Sequence, residues 1–249
     1  LSLFLLMLWS ITRSWRFPDA FPRTFSLFYW AKSLPLVVEP LITAGVAGLF
    51  SAFIAVILVL GCLENERYLA RSKIDSISRK SIWIIYLPLL VPQIGFLFGI
   101  QTIITGLHLE GSWFSLVWVH LVFVLPYIFL TLATTYRNYD QRYVQVATIL
   151  SGSALRSFLR VKLPMLAKPI LFSLAVGFAV SIAQYLPTLY VGAGRFATIT
   201  TETVSLASGS DRRVIAVYAL CQFLLPLAIY SLAIALPSVL FRNRQLMKN

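Results

Sequence analysis

The chain has 249 residues, of which 59% are hydrophobic and only 12% are charged, and its mean hydropathy is +0.82. These values lie far outside the range of soluble globular domains and predict an integral membrane protein. The net charge of +12 excludes no partner by itself, but anionic lipid and loop topology account for it, so no nucleic acid is expected as a partner.

Five apolar runs are long enough to cross the membrane as helices, since ~30 Å of hydrocarbon requires ~20 residues. They are Leu41 to Leu63, Ser81 to Leu107, Trp113 to Tyr136, Ile170 to Val191 and Val214 to Phe241. A shorter run, Leu1 to Thr12, begins on Leu rather than Met, and we interpret it as the end of a sixth span that starts upstream. A cleaved signal peptide is the alternative, although the run lacks a basic head and a cleavage site. The predicted fold is therefore an all-α, polytopic transmembrane helical bundle of about six spans, the first of them truncated.

The basic residues predict the orientation of this bundle, because Lys and Arg are enriched in cytoplasmic loops. If the first segment emerges outward, fourteen of the 21 Lys and Arg residues fall in inside segments. The loop Glu64 to Lys80 and the C-terminus at Asn249 are then cytoplasmic. Phe17 to Pro35 and Gly192 to Arg213 face the other side.

No catalytic motif occurs in the chain: GxxxxGK[ST], HExxH and GxSxG are all missing from the sequence. Cys62 and Cys221 have no spacing typical of a metal or redox site. We therefore predict no enzymatic activity, no metal and no cofactor. His120 lies inside a span that has no acidic residue, which favours structural hydrogen bonding over a proton relay.

The segment from Tyr143 to Pro169 is polar and basic and lies between two long apolar spans. Ser151, Gly152 and Ser153 predict a turn within it, and a second apolar stripe begins at Leu155. The first stripe has helical spacing and consists of Tyr143, Val146, Ala147, Leu150 and Ala154. The pattern predicts two short amphipathic helices, which either lie on anionic lipid or dock on a cytosolic partner.

This segment resembles the EAA loop of permease subunits in binding-protein-dependent ABC importers, whose pattern is EAA, three residues, Gly, then Phe and V-x-L-P. Gln145 replaces the glutamate of the pattern, and the glycine comes one position late, at Gly152. The other matching positions are Val146, Ala147, Ser151, Phe158, Val161, Leu163 and Pro164. The runs PLLVPQIGFLFGI from Pro88, HLVFVLPY from His120 and SIAQYLPTLYVGAG from Ser181 are also similar to this family. The last of these runs, together with the basic segment through Arg213, resembles the iron, thiamine, sulfate and polyamine branch of the family. The resemblance covers essentially residues 1–249.

The resemblance implies a single permease domain over residues 1–249, with a cytoplasmic coupling loop at about 137–168, in the bacterial inner membrane. Such a subunit forms the solute pathway with a second permease half or copy. Two halves are sometimes fused in this family, so a longer fused permease, of which the chain is half, is an open alternative. The expected partners are cytosolic ATP-binding subunits, coupled through residues 143–164, a periplasmic or extracellular solute-binding protein, and membrane lipid. ATP hydrolysis is expected in the partner.

Two alternatives to an ABC permease remain open: a gradient-driven secondary transporter and a non-transporting membrane scaffold. Gradient-driven carriers usually place an ionisable residue inside the membrane, and no predicted span contains Lys, Arg, Asp or Glu. Ser181, Gln184 and Tyr185 are polar positions within an apolar span and are candidate pathway residues. Hydrogen bonding between helices is the alternative role for them.

Overall fold

The computed structural model describes residues 2–15, 19, 22–71, 76–209 and 211–240, and most of these residues are helical. Two short strands, β1 (Thr12–Ser14) and β2 (Thr24–Phe25), pair in an antiparallel ribbon. The helices are α1 (Ser2–Ser10), α2 (Phe28–Arg71), α3 (Ser76–Leu90), α4 (Gln93–Gly106), α5 (Trp113–Asn138), α6 (Arg142–Ser151), α7 (Ala154–Ser157), a π-helical turn (Phe158–Lys162), α8 (Leu163–Met165), α9 (Ala167–Ile182), α10 (Tyr185–Gly192), α11 (Ile199–Ala207) and α12 (Arg212–Leu240). The all-α polytopic fold predicted from the sequence is confirmed.

Within the described residues, three helices are long and apolar enough to cross a membrane: α2, α5 and α12. Two further spans exist if each of two bent helix pairs is counted as one, which gives up to five. The N-terminal run is helical over Ser2–Ser10, which is too short to span. This helix packs against α12.

The predicted span from Ser81 to Leu107 is wrong as one straight helix, because α3 and α4 meet at an angle of 112°. The bend falls at Val91 and Pro92. Proline has no N–H to continue the helical hydrogen bonds, and it disfavours the helical conformation in the residue before it. Pro92 itself is extended, with φ −52° and ψ 126°, and caps α4.

The predicted span from Ile170 to Val191 is also broken in the structure. Helix α9 ends at Ile182 and α10 begins at Tyr185, with Gln184 extended between them at φ −78° and ψ 94°. Pro187 lies in the first turn of α10, where a missing N–H removes no intrahelical hydrogen bond. A backbone break therefore sits inside an apolar segment.

The core of the bundle lies where α2, α5 and α9 pack together. Its largest fully buried side chains include Phe129 and Phe178. Gly177 lies where α5 and α9 pack tightly, since a Cβ there would lie 2.5 Å from Ile128 Cδ1 and 3.0 Å from Val124 Cγ1. Small residues of this kind let helix backbones approach within a membrane.

The bundle has two distinguishable ends. At one end, α2 continues beyond its apolar run to Arg71 and meets the segment that follows α5. At the opposite end, the Gly111 N–H donates to the Val191 carbonyl at 3.2 Å, and Arg213 donates to the Arg13 carbonyl. Helix α12 returns to the first end, where Leu236 lines the same groove as Glu64 and Phe158. The predicted cytoplasmic position of Asn249 lies outside the described residues, as do residues 72–75 of the loop Glu64 to Lys80.

Candidate functional site

Residues 142–165 form a helical hairpin, the α6–α8 hairpin, which contains all the positions matched to the loop motif, from Gln145 to Pro164. Its first arm is α6, and its second arm is the continuous run of α7, the π-helical turn and α8. The two arms pack against each other. The predicted pair of short helices is present.

The turn between the two arms depends on Gly152. This residue ends α6 in the left-handed conformation, with φ 62° and ψ 10°, and its N–H donates to the Thr148 carbonyl at 3.0 Å. Glycine adopts positive φ without the steric cost that a Cβ causes. Ser153 then caps α7 through its side chain, which accepts from the Arg156 N–H. Ser151 and Ser157 share a hydrogen bond of 3.0 Å between their hydroxyls, which ties the arms together.

One face of the hairpin presents large apolar side chains to the surroundings. Ile149 and Leu150 at the tip are 81% and 82% exposed, and basic side chains at Arg156 and Arg160 are also exposed nearby in sequence. Gln145 is exposed as well, whereas Ala147 is half-buried. Tyr143, Val146 and Leu159 are further exposed apolar residues of the hairpin, whereas Leu155, which is also exposed, borders the space between the hairpin and α2. Large exposed apolar side chains close to exposed basic ones are typical of a protein or membrane contact site.

The second arm widens into one π-helical turn over Phe158–Lys162, where the Leu163 N–H bonds to the Phe158 carbonyl. Pro164 follows directly and cannot donate to a regular helical hydrogen bond. Phe158, Val161, Leu163 and Pro164, the matched end of the predicted motif, are all half-buried. These four residues are therefore less exposed than Ile149 and Leu150 at the tip.

A cleft of about 520 Å³ separates the hairpin from the ends of α2 and α5. Thr148 and Phe158 line it from the hairpin side, and Arg67 and Tyr139 from the bundle side. Lys162 of the hairpin forms an ion pair with Glu64 of α2 at this cleft. Arg137 and Glu66 form a second, more exposed ion pair at 2.9 Å between α5 and α2.

A buried polar network surrounds the break between α9 and α10. His120 of α5 lies 2.6 Å from the Ser181 hydroxyl through Nδ1 and 3.0 Å from the Thr188 hydroxyl through Nε2. Thr188 donates its single hydroxyl proton to the Gln184 carbonyl at 2.8 Å, so Nε2 must carry the proton and donate to Thr188. Nδ1 then accepts from Ser181. The network agrees with the structural role predicted for His120.

A cavity of about 610 Å³ adjoins this break and also reaches the bend between α3 and α4. Gln184 and Tyr185 line it from the α9–α10 break, and Gln93 and Tyr127 line it from α4 and α5. Gln184 is 6% exposed, and its Nε2 donates to the His120 carbonyl at 3.3 Å. Ser181 is buried behind the cavity, within the polar network, and does not line it. Of the three candidate pathway residues, two therefore border the cavity and one supports its wall.

No sequence motif predicts several of the residues at these sites. The ion pair of Lys162 with Glu64 joins positions 98 residues apart, and neither position carries a motif. Thr188 and Ser51 complete the histidine network; Ser51 donates toward the Ser181 hydroxyl at 3.3 Å. Their polar character inside apolar runs was the only available signal.

No family model matches the chain. Over 194 residues, 78% of its length, the chain is 41% identical to the inner membrane ABC transporter permease protein YnjC of Escherichia coli (strain K12). The chain spans 36% of the length of that relative. The match confirms the resemblance to ABC transporter permeases that the loop motif indicates.

Proposed function

The chain is a relative of ABC transporter permeases, and from this premise we propose that it is one permease half of an ATP-driven importer in the bacterial inner membrane. It forms the solute pathway together with a second permease half or copy. Cytosolic ATP-binding subunits drive it, and a solute-binding protein on the outer side delivers the solute. The chain itself catalyses no reaction in this scheme.

The exposed apolar face of the α6–α8 hairpin is the observation that carries this proposal. Ile149 and Leu150 lie almost fully in solvent, although burying a Leu or Ile side chain contributes about 1.5–3 kcal/mol. A short amphipathic helix that presents such residues suits a groove on a partner protein. The neighbouring Arg156 and Arg160 add positive charge at the rim. Docking on the ATP-binding subunit would bury this face in each transport cycle.

The placement of the hairpin supports coupling as well as docking. The hairpin connects directly to α5 at one end and to α9 at the other, and these two helices pack against each other in the core. A displacement of a docked hairpin would therefore move two core helices as packed bodies. The buried polar network and the cavity lie between the same helices.

The cavity next to Gln184 and Tyr185 is the proposed section of the solute pathway. Transporters commonly place solute sites where discontinuous helices meet within the membrane, and both the α3–α4 bend and the α9–α10 break border this cavity. Gln184→Leu should alter uptake while the assembly with the ATP-binding subunits stays intact. Unchanged uptake would assign Gln184 to helix packing.

Photo-cross-linking tests the docking role directly. A photoreactive amino acid at position 150 should capture the ATP-binding subunit in native membranes, because Leu150 faces outward. The same probe at position 148 is the matched control, since Thr148 lines the inner cleft, and it should capture little. No capture at position 150 in an assembled complex would refute the docking role.

Two substitutions separate docking on a protein from binding to lipid. Ala147→Glu should uncouple the complex, because an unpaired polar group buried in an interface costs ~1–3 kcal/mol or more. Contact with lipid alone predicts the opposite sensitivity: loss of Arg156 and Arg160 together would weaken the contact by about 1 kcal/mol each. In that case Ala147→Glu would leave assembly and uptake normal.

A further inference from the structure

Lys162 is a charged residue that the hairpin buries almost completely. It is 2% exposed, while the exposed arginines of the same hairpin extend into the surroundings. A buried charge is tolerated only when it is paired, and the Glu64 carboxylate of α2 supplies the partner. The π-helical turn ends at Lys162, and such turns frequently occur at functional positions.

Aromatic rings surround the same ammonium group. Its Nζ lies 4.3 Å from the ring centre of Tyr136 and 5.2 Å from that of Tyr139, and the Phe158 ring is 5.6 Å away. Cations lying over aromatic faces within about 6 Å are attracted by the ring quadrupole. Arg67 of α2 lies over Tyr136 and Tyr139 as well, at 5.1 and 4.2 Å. Lys162 is thus held by α2 and by the end of α5 at once.

The connectivity of the chain gives this contact its importance. The hairpin directly follows α5 and directly precedes α9 in the chain. Helix α2, in contrast, is separated from the hairpin by α3, α4 and α5. Helix α2 nevertheless packs extensively against both α5 and α9. The ion pair between Lys162 and Glu64 provides a direct polar link from the hairpin to this third core helix.

We infer that Lys162 is a positioning residue that fixes the α6–α8 hairpin to α2 and α5, so that displacement of the docked hairpin moves all three core helices together. This inference rests on the proposed docking of the hairpin on an ATP-binding subunit. Its subject is the transmission of movement into the bundle. Docking itself uses the exposed tip of the hairpin at Ile149 and Leu150.

The test follows the accessibility of the cavity in the complex with its ATP-binding subunits, reconstituted in lipid nanodiscs. Cys62→Ala and Cys221→Ala give a background without native cysteines, and Tyr185→Cys places a reporter at the cavity. The probe is a small, charged methanethiosulfonate reagent, and its modification rate is measured without nucleotide and after trapping with ATP and vanadate. The expected parent result is a severalfold difference between the two rates.

Lys162→Met should bring the ratio of the two rates close to one, and so should the double variant that also carries Glu64→Gln. The double variant leaves no buried charge unpaired, and replacing a buried ion pair by uncharged residues is often neutral for stability. It therefore separates transmission from folding. Glu66→Gln is the matched control, because it breaks the more exposed pair with Arg137, and it should retain the parent ratio.

Photo-cross-linking from position 150 is measured in parallel and distinguishes a loss of transmission from a loss of docking. Retained cross-linking with a ratio near one in both Lys162 variants supports the positioning role. If the ratio of the two modification rates in Lys162→Met stays at the parent value, the positioning role is overturned but docking is not. If the ratio in the parent itself is one, the positioning role is likewise overturned. Lost cross-linking in the double variant also overturns it, since Lys162 would then only shape the docking surface. Absent cross-linking in the parent refutes the proposed function itself.

Discussion

Replacing Gly152 isolates the backbone contribution of the hairpin turn. Its φ of 62° lies in the left-handed region, and a Cβ added there would meet no atom within 4 Å. The effect of a substitution therefore comes from backbone conformation alone and not from a clash. An L-residue in this conformation costs about 1–2 kcal/mol, and a β-branched residue is a stronger outlier there.

This cost translates into a measurable loss of docking. If the ATP-binding subunits bind only hairpins with the closed turn, about 1–2 kcal/mol weakens their binding by roughly 5- to 30-fold. We expect Gly152→Ala to fall in this range and Gly152→Val to reach its upper end or exceed it. Gly152→Asn should stay closest to the parent, because Asn tolerates the left-handed region best among residues with a side chain.

The assay is the equilibrium dissociation constant between the protein in nanodiscs and the proposed ATP-binding subunits. Gly209→Ala is the control, since Gly209 also has open space around its Cα but no positive φ, and it lies at the opposite end of the bundle. Dissociation constants for Gly152→Ala and Gly152→Val within twofold of the parent value would refute this prediction. Such a result would mean that the partner does not require the turn in its present conformation.

Three further predictions concern packing, the buried network and orientation. Gly177→Ala should lower the stability of the detergent-solubilised protein by about 1–3 kcal/mol through overpacking. Gly45→Ala should not lower it, because no atom lies within 4 Å of the added Cβ. Equal thermal unfolding temperatures for the two variants would contradict this prediction. Thr188→Val should cost about 1–3 kcal/mol in the same assay, because it leaves a buried histidine N–H without its acceptor, and an unchanged unfolding temperature would disprove the assigned network. An impermeant thiol reagent applied to intact cells should modify a cysteine at Ser208 and spare one at Ser153, and the reverse labelling pattern would contradict the proposed orientation.

The sequence was sufficient to predict the features that depend on local composition. The apolar stripe from Tyr143 and the Ser-Gly-Ser turn at Gly152 are local patterns, and the hairpin follows them closely. The all-helical membrane fold follows from hydropathy in the same way. These predictions succeed because each one depends on residues within a few turns of each other.

The breaks in the predicted spans could not be located from proline content. Pro92 coincides with the bend between α3 and α4, and Pro187 follows the break before α10. However, α2, α5 and α12 continue without interruption through prolines of their own, including Pro126 in the middle of α5. A membrane helix can absorb a proline when neighbouring groups satisfy the freed carbonyl. Whether a proline ends a helix therefore depends on packing that is not encoded nearby.

Lys162 shows the same limit for charge. In the sequence, Lys162 is a basic residue of a predicted cytoplasmic loop, like Arg156 and Arg160. All three count equally when Lys and Arg residues are used to predict the orientation. The structure separates Lys162 from the two arginines by pairing it with Glu64, the first residue after the apolar run of α2. A buried charge is costly unless it is paired, so the buried ammonium group of Lys162 requires the carboxylate of Glu64. The two residues form one unit that only the packed bundle brings together, so the charge count alone cannot distinguish an exposed basic residue from one that is buried in an ion pair.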